Sequence, residues 1–198
     1  VQSLLAIETS SSVPTLAWRT DAGVVCEKEI PSGRGCAVRL VLELDELRRG
    51  GFVPDIVAVG CGPGSYSGIR GGITAASGFS RTTGAKLVGF ASLFCVDVTE
   101  DRFVGFGDAG RGLLYRAVVT RSVLHLNWEL IAPAVANPDE AGVACYAISS
   151  SIPCLPSLRV VVPRARRLIK LVDTWGLDRG ERSPRPIYLQ GPVAEITK

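Results

Sequence analysis

The residue types best able to do chemistry sit in three short segments far apart in the chain. The sharpest is Cys61-Gly62-Pro63-Gly64-Ser65-Tyr66-Ser67-Gly68-Ile69-Arg70. It follows an apolar run and opens what reads as a helix, so its glycines would expose free backbone N–H groups that suit a phosphate or another anion. It lacks the Gly-Lys-Ser/Thr ending of a P-loop and the spacing of a dinucleotide turn. The plainer reading is a tight strand-to-helix turn in which Ser67 caps the helix. The other two segments are Glu8-Thr9-Ser10-Ser11, at the end of the first apolar run, and Asp108-Ala109-Gly110-Arg111-Gly112.

Other chemistries lack their parts. The chain has one histidine, His125, in an apolar strand-like run where it reads as structural. A serine nucleophile therefore has no evident base, and a two-histidine metal site cannot be built. Cys26, Cys36, Cys61, Cys95, Cys145 and Cys154 form no CxxC pair. Zinc-ribbon and thioredoxin-type readings fail, and these cysteines read as small buried hydrophobes in a reducing compartment. Neither bound zinc nor bound iron is expected.

The elements that must position these segments follow from periodicity and punctuation. Residues 3–9, 14–19 and 22–29 read as a meander of three strands, with a turn at Asp21–Gly23. A helix over 35–49 ends at Gly50-Gly51, and 55–60 is a short buried strand. A second helix over 67–83 stops at Gly84, and 86–90 is the next strand. A hairpin over 102–107 and 113–120 follows, with a third strand at 123–131. Pro138–Ala141 could open a short helix, 143–149 and 158–162 could be strands, and Pro163 starts a helix running to Gly176. Strands followed by alternating helices and strands predict an α/β fold with mixed sheets. The junction near Val98–Asp101 divides two lobes, 1–98 and 99–198.

Two helices carry surplus apolar surface. Apolar side chains run nearly around the cylinder in Cys36–Leu44, and no charge occurs from Gly71 to Ser80. A helix exposed on one side would show a charged stripe there, so a second cover is expected. Gly72 and Ala76, four apart, would let a facing helix come within the ~8–10 Å of close packing. A partner seam through Leu40, Leu44, Gly72, Ala76 and Phe79 is the resulting expectation.

Composition is that of a globular protein, with 46% hydrophobic and 21% charged residues. The net charge of +3 is uneven, since residues 159–198 hold nine basic side chains against four acidic. In the last helix Arg164, Arg167 and Lys170 lie off the apolar face of Ala165, Leu168, Ile169 and Val172; they read as a solvated face, or else as long-range attraction for a polyanion such as tRNA. The opening VQSLLAIETS has no basic lead and no long apolar run, and no window could cross a bilayer. The expected location is the cytoplasm, with no membrane partner. The chain begins with Val1 and holds no methionine, so its natural start is expected to have been trimmed.

GPGSYSGIR, GGITAASGFS and GFASL resemble motifs of the TsaB family, also called YeaZ. LLAIETSS resembles its first strand and loop, with Glu8 where Asp is usual. FGDAGRGLLY resembles its hairpin, with Gly110 at the usual Arg. Pro186-Ile187-Tyr188-Leu189-Gln190 resembles its Pro-x-Tyr-Leu-Arg. The likeness is dense over 55–93 and faint over 121–185. It implies the actin-like, sugar-kinase-like fold, two lobes each with a ribonuclease-H-like mixed sheet. It also implies a non-catalytic scaffold that heterodimerises with TsaD, with TsaE as ATPase helper, in making threonylcarbamoyladenosine at position 37 of tRNA. tRNA would be reached through the complex, and self-association into a homodimer stays open. TsaD's metal-binding histidines align with Ser92 and Val96 here. No cofactor is expected in the isolated chain; ATP or ADP could sit at the partner interface. The alternative is an ATPase or small-molecule kinase acting through Asp108, because Asp108–Gly112 matches the phosphate hairpin of sugar kinases and actins. In either case phosphate contacts would fall on Thr9, Ser10, Gly64, Asp108 and Gly110.

Overall fold

The first sheet is built outward from β1 (Leu4–Glu8), which pairs antiparallel with β2 (Thr15–Arg19) and parallel with β4 (Ile56–Gly60). β3 (Val25–Glu29) and β5 (Lys86–Phe90) complete the order β3-β2-β1-β4-β5. Helices α1 (Cys36–Arg49) and α2 (Tyr66–Thr83) connect β3 to β4 and β4 to β5. These come from a computed structural model, which describes residues 1–139 and 142–189.

The second sheet repeats the scheme. β6 (Arg102–Gly110) pairs antiparallel with β7 (Leu113–Thr120) and parallel with β9 (Ala144–Ile148). β8 (His125–Ile131) and β10 (Arg159–Val161) flank them in the order β10-β9-β6-β7-β8. The strand order matches that of the first sheet element for element, but among the described residues no α-helix joins β8 to β9 or β9 to β10. The one α-helix among the described residues of this half, α3 (Ala165–Trp175), follows β10. Pro138 and Asp139 are irregular rather than helical, and Glu140 and Ala141 lie outside the described residues.

Strand alternation sorts the core into layers. Leu5, Ile7, Val57 and Val59 face α1 and α2, joining Leu40, Leu44, Ala76 and Phe79. Leu4, Ala6, Ile56 and Ala58 face the other way, onto Leu168, Ile169 and Val172 of α3 and onto Phe103, Tyr115 and Tyr146 of the second sheet. So α3, although it lies within 99–198, packs on β1, β2 and β4 between the two sheets. The outer face of the second sheet, with Val104, Phe106 and Ala147, is covered by Ile152 and Leu155 of the connecting loop. Each sheet thus supplies one lobe of a two-lobed α/β fold.

α3 is tied down by polar contacts as well. Arg19 holds Asp173 through two 2.7 Å bonds, and Thr15 Oγ accepts the Ala165 N–H at 2.8 Å. Arg164 pairs with Glu29 and Arg166 with Asp97. These arginines are spent on lobe-to-lobe ion pairs, so the solvated basic face expected from sequence is reduced mainly to Lys170.

Candidate functional site

The three chemical segments converge. Thr9–Ser12, Gly64–Gly68 and Asp108–Gly110 line one cleft of about 1190 Å³ between the lobes. The five expected phosphate contacts, Thr9, Ser10, Gly64, Asp108 and Gly110, all border it.

The glycine loop is shaped by the close approach of the β1 loop. Ser65 N–H donates to Ser10 O at 2.7 Å, and a Cβ on Gly64, whose φ is +152°, would stand 2.1 Å from that same oxygen. Thr9 Oγ1 donates to Gly68 O at 2.8 Å, and a Cβ on Gly72 would meet Thr9 Oγ1 at 2.2 Å. Gly64, Gly68 and Gly72 are therefore glycines because their own chain passes over them. The helix cap is Ser65, whose hydroxyl accepts the Gly68 N–H at 3.2 Å, and not Ser67 as the sequence suggests.

This corrects the expected partner seam. Leu40, Leu44, Ala76 and Phe79 are buried against β1 and β4, and Gly72 is buried under Thr9. None of the five faces outward. The outer side of α1 carries Val38, Val41 and Leu42, exposed at 63%, 54% and 62%. Beside it α2 presents Tyr66, Arg70 and Thr74. The two helices touch closely, since a Cβ on Gly71 would lie 3.5 Å from that of Ala37.

The acidic residues of the two loops make hydrogen bonds within the chain itself. Asp108 Oδ1 accepts the Gly110 N–H at 2.7 Å, closing its own bulged hairpin turn. Glu8 is fully buried; it turns beneath the loop, where Oε1 accepts the Ser10 N–H at 2.7 Å. Its other oxygen lies against Gly60, where a Cβ would come within 1.8 Å of it and within 2.7 Å of Ser92 Oγ. Burial pushes the Glu8 carboxyl above its ordinary range, outweighing the Ser10 N–H bond that favours the carboxylate. Ser92 in turn accepts the Gly62 N–H at 2.9 Å. A buried polar cluster thus fixes the glycine loop from below, with the thiols of Cys61 and Cys95 close by.

Sequence reasoning placed some residues wrongly. His125 begins β8, as its strand-like run suggests, and its side chain is exposed. Of the cysteines only Cys61 and Cys95 are buried; Cys154 is exposed. Burial, then the negative charges of Glu181 and Glu8, push the Cys61 thiol up to about 12. Ser92 and Val96 are both fully buried, and among the described residues no group of three or more His, Cys, Asp or Glu is placed to hold a metal ion. Nor is any described helix long and apolar enough to cross a membrane.

The segment after α3 also reaches this site, a role that composition did not signal. Gly89 and Glu181 exchange backbone hydrogen bonds at 2.8 and 2.9 Å, and Ile187 N–H donates to Cys61 O at 2.8 Å. Tyr188 then stacks on Tyr66, with ring centroids 5.0 Å apart. Arg70 grips the Tyr66 hydroxyl at 2.5 Å, so the chain end braces the entry to α2. Gln190 of the expected motif lies outside the described residues.

Comparison with known proteins bears on this geometry. Residues 53–125 match the family model described as TsaD, tRNA N6-adenosine threonylcarbamoyltransferase. An uncharacterized protein of Mycobacterium leprae is 30% identical over 71% of this chain, which spans only 39% of that protein's length. An uncharacterized protein of Mycobacterium tuberculosis is 27% identical, over 98% of this chain and 95% of its own. Among solved structures, YeaZ from Pseudomonas aeruginosa superposes with a TM-score of 0.71 at 20% identity, covering 96% of this chain and all of that one. A second Pseudomonas aeruginosa structure, an uncharacterized protein with similarity to peptidase YEAZ, gives 0.75 at 21% over the same shares. Over nearly its whole length, then, the chain has the two-lobed fold of the YeaZ structures, and its residues 53–125 match the TsaD family model.

Proposed function

We propose that this chain is a non-catalytic, activating subunit in the threonylcarbamoylation of tRNA adenosine 37, pairing with a TsaD-type protein through the outer faces of α1 and α2. The observation that carries the pairing is the apolar stripe of Val38, Val41 and Leu42. Residues three and four apart share one helix face, and all three are more than half exposed. Large exposed apolar stripes on a folded chain mark contact surfaces. Further along α2 the surface is open: a Cβ on Gly78 would meet nothing within 4 Å. Two helices of a similarly built partner could lie against this pair as a four-helix bundle.

The cleft supports the non-catalytic half of the reading. A metal–phosphate grip needs acidic groups aimed into the cleft, but Glu8 is sealed in the core and Asp108 spends one of its two oxygens on its own turn. Ser12 Oγ also reaches Ser149 O across the lobes at 2.9 Å. On this reading ATP or ADP enters only with the assembled partner, TsaE drives the cycle, tRNA is met through the complex in the cytoplasm, and without TsaD the same face can pair two copies.

Reconstitution tests it. The purified chain alone should neither modify tRNA nor hydrolyse ATP, and adding it to TsaD and TsaE should restore base modification. Full modification by TsaD and TsaE without this chain would end the proposal. The second reading, an ATPase or small-molecule kinase, draws on the convergence of Asp108 and Gly110 with Thr9 and Ser10 around one cleft. ATP turnover by the isolated chain, abolished by Asp108→Ala, would establish it instead.

A further inference from the structure

Behind the cleft, where the linker between the sheets meets α3, lies a second cavity of about 210 Å³. Its floor is apolar, from Phe94, Leu171 and Trp175, and its walls carry three cations, Arg121, Arg167 and Lys170, against one anion, Asp101. We propose that this cavity is a binding site for a phosphate group, held by Lys170 and Arg167 in the field of Arg121.

The hydrogen-bond inventory says which groups remain to bind. Asp101 is committed, its two oxygens accepting from the Ser122 N–H and hydroxyl at 2.7 and 2.6 Å. Arg121 donates to the carbonyls of Val96, Val98 and Glu100, which fix its position without neutralising its charge. Arg167 uses Nε and Nη2 on Asp97 and Val98 O, leaving Nη1 without a partner among the described residues. Lys170 is exposed and has no ion pair there. Asp97, the nearest further carboxylate, is shared between Arg166 and Arg167.

Burial first, and then the positive field of Arg167, hold the Arg121 guanidinium below its ordinary pKa, with Asp101 and Asp97 acting the other way. An apolar floor weakens screening by water and sharpens that field. A dianionic or monoanionic oxyanion would relieve it, and guanidinium and ammonium donors suit phosphate oxygens. The hydroxyl of Thr174, also in the wall, donates to Lys170 O and helps hold the last turns of α3. The phosphate could belong to a free small molecule or to an RNA backbone.

Two titrations of the isolated chain decide, and neither needs a partner protein, so failure here leaves the pairing with TsaD untouched. Inorganic phosphate is titrated by calorimetry, and unmodified tRNA by filter binding over a salt series, against the parent chain, Lys170→Glu, and Lys86→Glu as an exposed control. Melting curves verify that all three are folded. The expected result is at least a tenfold loss of phosphate affinity in Lys170→Glu alone. If tRNA affinity falls with it, and Lys170→Glu lowers the salt slope by at least about one, the phosphate is that of RNA. If only phosphate binding falls, the ligand is a free phosphate compound. Equal affinities in Lys170→Glu and Lys86→Glu for both probes overturn the site.

Discussion

Arginine placed at position 76 and arginine placed at position 42 should fail in opposite ways. Ala76 is fully buried, in the apolar layer that holds Leu5, Ile7, Val57 and Leu40. An arginine there buries an unpaired charge, costing several kcal/mol after relaxation, and overpacks the layer by ~1–3 kcal/mol more. Against a total stability of about 5–15 kcal/mol, Ala76→Arg should lower Tm by roughly 10–20 °C or prevent folding. Leu42 is 62% exposed, so Leu42→Arg should change stability by no more than ~0.5 kcal/mol. If Leu42 is central to the partner face, the same change should weaken association by ~2 kcal/mol or more, about thirtyfold in Kd. The assay is a thermal melt on each variant, with calorimetry against a TsaD-type protein. A normally melting Ala76→Arg that loses partner binding would refute the inward orientation of α2. A folded Leu42→Arg that binds as the parent does would remove α1 from the partner face.

The remaining tests probe the loop and its supports. Glu8 has its folded pKa raised above 4.5, so its contribution to stability is greatest below pH 4.5 and is lost as pH rises through the folded value. One proton limits that slope to ~1.4 kcal/mol per pH unit. Glu8→Gln cannot ionise, so chemical denaturation at pH 8 should find it at least as stable as the parent; a large loss would show that the carboxylate itself is required. Gly72→Val should destabilise by ~1–3 kcal/mol, because its side chain displaces the Thr9 hydroxyl from the loop it anchors; an unchanged melting curve would contradict this packing. Asp108→Ala should cost ~0.5–1.5 kcal/mol through the lost Gly110 N–H bond, read by urea titration, without altering phosphate release from ATP. A thiol reagent should modify Cys154 at once in the native chain and reach Cys61, whose thiol is pushed up to about 12, only on unfolding.

What the sequence determined is most of the elements and the kinds of side chain they carry. Apolar runs of four at 4–7 and 56–59, the glycine stops after α1 and α2, and the single histidine are local properties, readable without knowing what packs where. Orientation was another matter. From Gly71 to Ser80 the second helix has no charged residue, so periodicity offered too little contrast to say which side faces the sheet. Only the passage of Thr9 over Gly68 and Gly72, contacts about sixty residues apart in the chain, decided it. Glu8 reads as a polar residue at a loop, yet it turns inward because Gly60 leaves the space and Ser10 supplies a donor. The basic side chains of α3 read as a solvated face because their acidic partners, Glu27, Glu29 and Asp97, lie on elements far away in the sequence. Residue type fixes which local conformations are cheap, whereas the choice between two faces of an uncharged helix, or between solvent and core for a carboxylate, depends on free energies that exist only once distant segments have met.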